Sequence, residues 1–422
     1  MSSIRSVFSL LLTTALLLAG HGLHMTFLPL RASELGLSAD WVGFSGGAYF
    51  SGFIWGALVI PPIIARVGHI RSFTALMATF LCSFLLLSLT SSGLLWVLIR
   101  FALGAAMCGA YTVIESWLAD QSEPEQHGRI FSIYTLVVLA AMAAGQYLLQ
   151  IMPENPLMPF ITVALLVGFA IIPVSLTRSL APAPVPATRF NFGKLYRRSH
   201  TAFAGALGSG MIMGSFWTLG AIYALNVTQD ASIVPTFVAA TIIGGAVAQY
   251  PIGIASDSID RRFVLAALCA LCCVASLLLT AAQSTTVLLS AAVLFGVGGS
   301  SLYAVSLAKA ADNSRRDEFL TIGSSVLLLN ALGAAIGSFL FGWIMRAIAA
   351  EALFFSVAVV SGLVGLYISL QPRGDSAVEV EDQSQFVAAT SAMAPAALAQ
   401  DPRNEQEPIT ISPEPELADP QD

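Results

Sequence analysis

Apolar residues gather along this chain into twelve long runs, at about 7–30, 41–64, 72–92, 94–119, 130–152, 157–177, 200–225, 235–256, 263–282, 285–310, 319–348 and 351–371, with charge concentrated in the segments between them. A helix needs about 20 apolar residues, at 1.5 Å each, to cross a hydrocarbon layer ~30 Å thick, and these runs have that length. A barrel strand instead alternates apolar and polar positions over about ten residues. Backbone inside lipid must satisfy its own hydrogen bonds, so the pattern predicts an all-α polytopic membrane protein of twelve transmembrane helices. The first run is too long for the apolar core of a signal peptide and eleven more follow it, so it reads as a retained helix.

The chain is also a repeat with an offset of 192 residues. Without a gap, Gly22 pairs with Gly214, Thr26 with Thr218, Gly52 with Gly244, Gly104 with Gly296, Tyr111 with Tyr303, Asp120 with Asp312 and Gly145 with Gly337. Two copies of a six-helix unit predict an N-terminal bundle over 1–177, a linker over 178–200 and a C-terminal bundle over 201–371, followed by a tail over 372–422.

Between the eighth and ninth runs lies Gly253–Arg262, GIASDSIDRR, which packs a small-residue helix end, two aspartates and two arginines into a tight hairpin. Its degenerate twin, PPIIARVGHIR over Pro61–Arg71, keeps Gly68 and Arg71 but has Ala65 where the aspartate is expected. This loop resembles the signature of the major facilitator superfamily, roughly G-x-x-x-D-R/K-x-G-R-R. Gly253, Asp257, Arg261 and Arg262 match it, and Asp260 replaces its second glycine. The resemblance implies two pseudo-symmetric six-helix bundles around a central cavity that opens alternately to each side. It further implies that Asp257, Asp260, Arg261 and Arg262 carry the charge lock that braces one state of the cycle. The segments Gly20-His-Gly-Leu to Leu28-Pro-Leu-Arg31 and Glu115-Ser-Trp-Leu to His127-Gly-Arg129 resemble a little-characterised bacterial branch of that superfamily, without implying a substrate.

Composition sharpens the picture. At 56% hydrophobic, 10% charged and a mean hydropathy of +0.79, the chain lies far from soluble proteins, of which about a quarter is charged. The net charge of −6 divides into +3 over residues 1–372 and −9 over residues 373–422. Basic residues collect on alternate loops, among them Arg5, Arg66, Arg71, Arg129, Arg178 and Arg189, whereas the opposite loops hold Arg31 and Arg346. The positive-inside rule then places both termini in the cytoplasm of a bacterial inner-membrane protein. The Pro-rich linker, with five basic residues, is expected to be extended, and the acidic tail to be disordered. All five cysteines fall in apolar runs, which suits small buried hydrophobes better than disulfides, and CxxCC at Cys269–Cys273 has no His or acid in its span to complete a metal site.

The fourth run carries the most unusual residues. Arg100, Gly104, Cys108, Tyr111 and Glu115 are spaced by three or four and share one helix face. Fifteen residues put Arg100 and Glu115 about 22 Å apart, too far to pair with each other. Charge within a span is costly and by default functional, although Arg100 could instead snorkel and Glu115 could pair with Arg66, Arg71 or Arg129. Their repeat mates are Ala292 and Leu307, so the fold itself does not require them. His21 and His24 share a face of the first run and are either protonatable cavity groups or simple interhelical hydrogen bonders. Trp217, Gln249, Tyr303 and Asn330 are the cavity candidates of the second half, against packing roles for each, and Lys309 is expected to snorkel.

No phosphate loop, GxSxG elbow or HExxH occurs, so no enzyme, cofactor or metal is expected. The reading is a secondary active transporter, monomeric in the lipid bilayer, that moves a small solute with protons and has no nucleic-acid partner. A passive facilitator and a non-transporting sensor are the alternatives. The fifth run has Gly145-Gln146 but lacks the G-P-x-x-G-G pattern of many drug antiporters, which weighs against multidrug export.

Overall fold

A computed structural model describes residues 2–121, 127–152, 155–176, 189–315, 318–371 and 386. Among these, the regular elements are thirteen helices: α1 (Ser2–Glu34), α2 (Ala39–Val67), α3 (His69–Leu87), α4 (Gly93–Asp120), α5 (His127–Ile151), α6 (Met158–Ser175), α7 (Phe192–Arg198), α8 (His200–Thr228), α9 (Ile233–Ser258), α10 (Arg261–Thr280), α11 (Thr285–Asp312), α12 (Phe319–Ala347) and α13 (Ala352–Leu370). Twelve of them, all but α7, are long and apolar enough to cross a membrane. The third ends five residues before its apolar run does, because Ser88 Oγ bonds back to the Leu85 carbonyl at 2.7 Å and Ser92 N–H to Thr90 Oγ1 at 3.1 Å. Hydroxyl side chains that bond local backbone compete with helix there.

Helices α1–α6 pack among themselves, as do α8–α13, giving two bundles. The 192-residue offset holds at the level of contacts, and close-approach glycines show it most sharply. A Cβ on Gly104 would strike the Tyr49 carbonyl, and one on Gly296 would strike that of Thr241; Tyr49 and Thr241 are themselves 192 apart. Gly52 and Gly244 meet Phe101 and Val293, Gly145 and Gly337 meet Ala19 and Met211, and Gly22 and Gly214 meet Met142 and Ala334, every pair at the same offset. Small residues let membrane helices approach until backbones touch, so one set of crossings is built twice. A polar clip repeats too: Thr26 Oγ1 donates to Gln146 Oε1 at 2.6 Å, and their repeat mates Thr218 and Ser338 share a hydrogen bond of 2.8 Å.

Central and peripheral helices differ in how much of their apolar window the protein covers, 72% for α4 and α8 against 33% for α6 and α13. Peripheral faces present large apolar residues outward, Leu98, Leu136, Leu165, Val247 and Leu363 among them. That belt suits hydrocarbon and would be an aggregation surface in water.

The expected extended linker is corrected in its second part. Asn191 caps α7 by accepting from Lys194 N–H at 2.8 Å, and Leu195 is buried, so residues 192–198 form a helical turn docked on the C-terminal bundle. Lys194 Nζ and Arg198 Nη2 each reach Glu318 at 2.9 Å. The Lys194 hydrogen bond, with Arg198 beside it, outweighs desolvation and holds the Glu318 carboxyl below its ordinary range. Residues 178–188 of the linker lie outside the described residues, as does the tail apart from Phe386.

Candidate functional site

A cavity lies between the bundles. The N-terminal bundle contributes His21, Met25, Tyr49, Phe53, Tyr111 and Met142 to its wall; the C-terminal bundle contributes Met213, Trp217, Gln249, Ser300, Tyr303 and Asn330. The repeat mates Tyr111 and Tyr303 thus face the same space from opposite halves, which places it on the pseudo-symmetry axis.

Behind one wall lies a buried polar network. Arg100 Nη1 donates to His24 Nε2 at 2.9 Å, and the guanidinium carbon sits 4.6 Å from the centre of the Tyr49 ring. Arginine can only donate, so His24 Nε2 accepts and its proton resides on Nδ1, which bonds the His21 carbonyl at 2.9 Å. His24 is thereby neutral, held edge-on by Phe80 and Phe84, each with a ring centre at 5.7 Å. The His21 ring lies 4.8 Å from that of His24 and reaches the cavity. Arg100 is 3% exposed and His24 fully buried, and among the described residues no carboxylate stands within ion-pair distance of Arg100. The positive charge is met by an imidazole and a π face alone.

Among the described contacts between the halves, the backbone-close and polar ones gather at one end. At the side where α1 ends, far from the chain termini, Gly43 and Gly47 of α2 lie against the backbone of α12 at Ser338 and Ala335, and Gly46 against Thr218 of α8. Arg346 Nη1 bonds Asp40 Oδ2 at 2.5 Å, Phe44 packs on Phe339 at 4.6 Å, and Gln150 Nε2 reaches the Ser232 carbonyl and Thr236 Oγ1 at 3.1 and 2.8 Å. At the opposite end, the side of the termini, Phe131 of α5 packs on the apolar cluster of the C-terminal half, and the described ion pairs of the signature loop include Arg261–Asp257 and Arg261–Asp312, both inside that half. Arg261, fully buried, bonds Asp257 at 2.9 Å, Asp312 at 2.5 Å and the Ala308 carbonyl at 3.2 Å. The structure is therefore closed on the far side.

Sequence profiles and relatives bear on this arrangement. The profile of the Major Facilitator Superfamily matches residues 10–237 and 201–400. The chain belongs to the Major Facilitator Superfamily. It is 25% identical over 376 residues, 88% of this chain and 97% of the relative, to the uncharacterized MFS-type transporter YcaD of Escherichia fergusonii. A protein of Enterobacter sp. (strain 638), the uncharacterized MFS-type transporter Ent638_1421, is 25% identical over 378 residues, 88% of this chain and 97% of its own. In fold, the chain is similar to the nucleoside transporter NupG, with a TM-score of 0.72 at 11% identity over 86% of this chain and 98% of that one. It is also similar to a bacterial homolog of the human lysosomal transporter Spinster in an inward-facing and occupied conformation, with a TM-score of 0.71 at 14% identity over 90% and 97% of the two chains. The protein is accordingly a multi-pass membrane transporter of this superfamily, of a little-characterised branch.

Of the eight cavity candidates, this superfamily member brings His21, Trp217, Gln249, Tyr303 and Asn330 to the cavity wall. Arg100 and His24 stand one side chain behind it, and Arg100 does not snorkel. Glu115 lies elsewhere, toward the terminal side, where it is fully buried and accepts a hydrogen bond from Tyr134 at 2.8 Å. Lys309 also departs from expectation. It is 4% exposed, and its ammonium approaches Asp260 at 3.7 Å. Asp260 itself caps α10 through Arg262 N–H at 2.9 Å, and Arg262 Nη1 holds the Gln371 carbonyl at 2.5 Å, so the loop ties α9, α10, α11 and α13 together. Gly68 ends α2 and opens α3 at φ +92°, a conformation that favours glycine, and Arg71 is exposed beside it. Phe386 N–H donates to Asp257 at 2.9 Å, and its ring occupies the space a Cβ on Gly253 would need.

Sequence reasoning missed Tyr49 and Tyr134. Each is an ordinary tyrosine by spacing, and only the crossing of α2 with α4 and of α5 with α4 gives it a charged partner. A signal for Tyr49 existed in its repeat mate Thr241, because the aromatic ring, like Arg100, occurs in one half only.

The far-side ion pair supplies a prediction. Arg346 is 57% exposed and Asp40 9%, so the pair is worth about 1 kcal/mol or less after screening. Asp40→Asn is expected to multiply the far-side-open population by up to about fivefold, read as the distance distribution between spin labels at Leu37 and Ile348. An unchanged distribution assigns the closure to the glycine, Phe44–Phe339 and Gln150 contacts without the ion pair.

Proposed function

We propose that the protein is a proton-coupled secondary transporter in a bacterial inner membrane, monomeric, with both termini cytoplasmic, and that the conformation described is the inward-facing state. The observation that carries the coupling is the Arg100–His24 pair. Protonation of His24 puts a second positive charge and an N–H where Nε2 now accepts, so the guanidinium must leave. The groups facing this switch are His21 from α1, Tyr49 from α2, the apolar rings of Phe80 and Phe84 from α3 and Arg100 from α4. A proton and an arrangement of Arg100 are therefore mutually exclusive in a wall that His21 and Tyr49 share with the solute cavity. Glu115 with Tyr134 offers a further proton acceptor toward the terminal side. The halves rock about the cavity, the far side being closed by α2, α8 and α12 and the terminal side by the charged loop around Asp257, Asp260, Arg261 and Arg262.

Proteoliposomes exposed to a soluble metabolite extract, with a pH gradient imposed in either direction, test this reading by mass spectrometry of their contents. At least one solute should be enriched about tenfold over empty vesicles, and a protonophore should abolish the enrichment. Equilibration that ignores the gradient indicates a passive facilitator, and no enrichment under any condition indicates a sensor.

A further inference from the structure

We infer that the cavity is built for an aromatic organic anion, a ring-bearing solute whose single negative charge faces the wall backed by Arg100. The inference rests on the transporter reading for its physiological meaning, but the binding site can be tested without it.

Three observations lead there. First, the described lining carries no carboxylate, ammonium or guanidinium, so nothing in the wall would neutralise a cation. Second, Arg100 keeps its charge directly behind the Tyr49 ring, with no acid among the described residues to balance it. An uncompensated charge in a low-dielectric bundle is costly, and its field reaches across one ring into the cavity, attracting an anion and repelling a cation there. Third, two buried polar atoms in the same wall lack any hydrogen-bond partner: His21 Nδ1 and the Tyr111 hydroxyl, on residues that are 6% and 2% exposed. Buried polar groups are ordinarily satisfied, so two orphans on residues of one cavity wall point to a ligand's polar end at that wall, reached by a small side-chain turn. The Tyr111 hydroxyl can donate to a carboxylate, as can a protonated His21 Nδ1.

The rest of the wall selects the body of the solute. Phe53, Trp217 and Tyr303 offer aromatic faces and edges, and Met25, Met142 and Met213 are soft, adaptable thioethers that pack on rings. On the C-terminal side Gln249 and Ser300 make no described hydrogen bond within the protein, which leaves room for one more polar group at the distal end of the solute.

The test is a matched series on the purified full chain, read by thermal stabilisation and by tryptophan fluorescence: indole-3-acetate, indole-3-acetamide and tryptamine, which share a ring and differ in charge. The acid should bind at least tenfold more tightly than the amine, with the amide between, and phenylacetate more tightly than cyclohexylacetate. In Arg100→Met the advantage of the acid over the amide should vanish. Should that variant fail to fold, the order within the parent still decides. An amine that binds as well as the acid, no difference between acid and amide, no binding by any acid at millimolar concentration, or cyclohexylacetate equal to phenylacetate overturns the inference. If the acid order holds but the metabolite assay finds no transported solute, the site stands and the transport reading falls. If that assay returns a cation or a ringless solute, transport stands and this inference falls.

Discussion

Gly104→Ala and Gly296→Ala are expected to lower the thermal midpoint of the purified protein by similar, large amounts, because each added methyl meets a carbonyl of a neighbouring helix that no rotamer change can move aside. Overpacking costs about 1–3 kcal/mol where side chains can yield, and more where backbone must shift. The size of the loss is less telling than its equality. Gly104 meets Tyr49 and Gly296 meets Thr241, two residues at the repeat offset, so one substitution probes the same crossing in both halves. Gly168→Ala, where nothing lies within 4 Å, should leave the midpoint unchanged. A large effect at one site and none at the other would mean that the two bundles are not packed alike.

Arg100→Ala is expected to fold and to abolish gradient-driven solute enrichment, by at least tenfold, and Arg100→Lys is expected not to restore it. The reason is geometric. The planar guanidinium stacks on Tyr49 while donating to His24, and a lysine ammonium is a point charge that cannot do both. Folding survives because the charge is unbalanced to begin with, so its removal relieves a desolvation cost instead of leaving a buried partner behind. His21→Ala should behave alike in enrichment, and expression level and gel-filtration profile separate loss of function from loss of fold.

Much of this arrangement was legible in the residues. Twelve apolar runs gave twelve spans, and the ungapped offset located crossings that the contacts of Gly22, Gly52, Gly104 and Gly145 repeat in the second half. The asymmetry of Arg100 against Ala292 pointed to a residue the fold does not need, and the structure puts it against the cavity wall. What stayed hidden depends on helix rotation and tilt. No spacing rule says that Tyr49 stacks under Arg100, that Tyr134 meets Glu115, or that Lys309 reaches Asp260, since these partners come from different helices. The α7 turn was masked by its basic, Pro-flanked setting, in which one buried leucine and one asparagine cap decide the outcome. Nor can a repeat that treats both halves alike say which end is shut; that is read from contacts between the halves, among them Gly43 on Ser338, Phe44 on Phe339 and Asp40 with Arg346, the last pair 306 residues apart.

Alternation of the two ends is the central claim, and paired spin labels test it most directly. One pair at Leu37 and Ile348 reports the far side, and a second pair at Arg71 and Ser258 reports the terminal side. The account predicts two populations whose distances vary in opposite senses, the far side short when the terminal side is long, with the balance shifted by pH and by Asp40→Asn. A single distance at each end, unmoved by pH, by Asp40→Asn and by added aromatic acid, would contradict it.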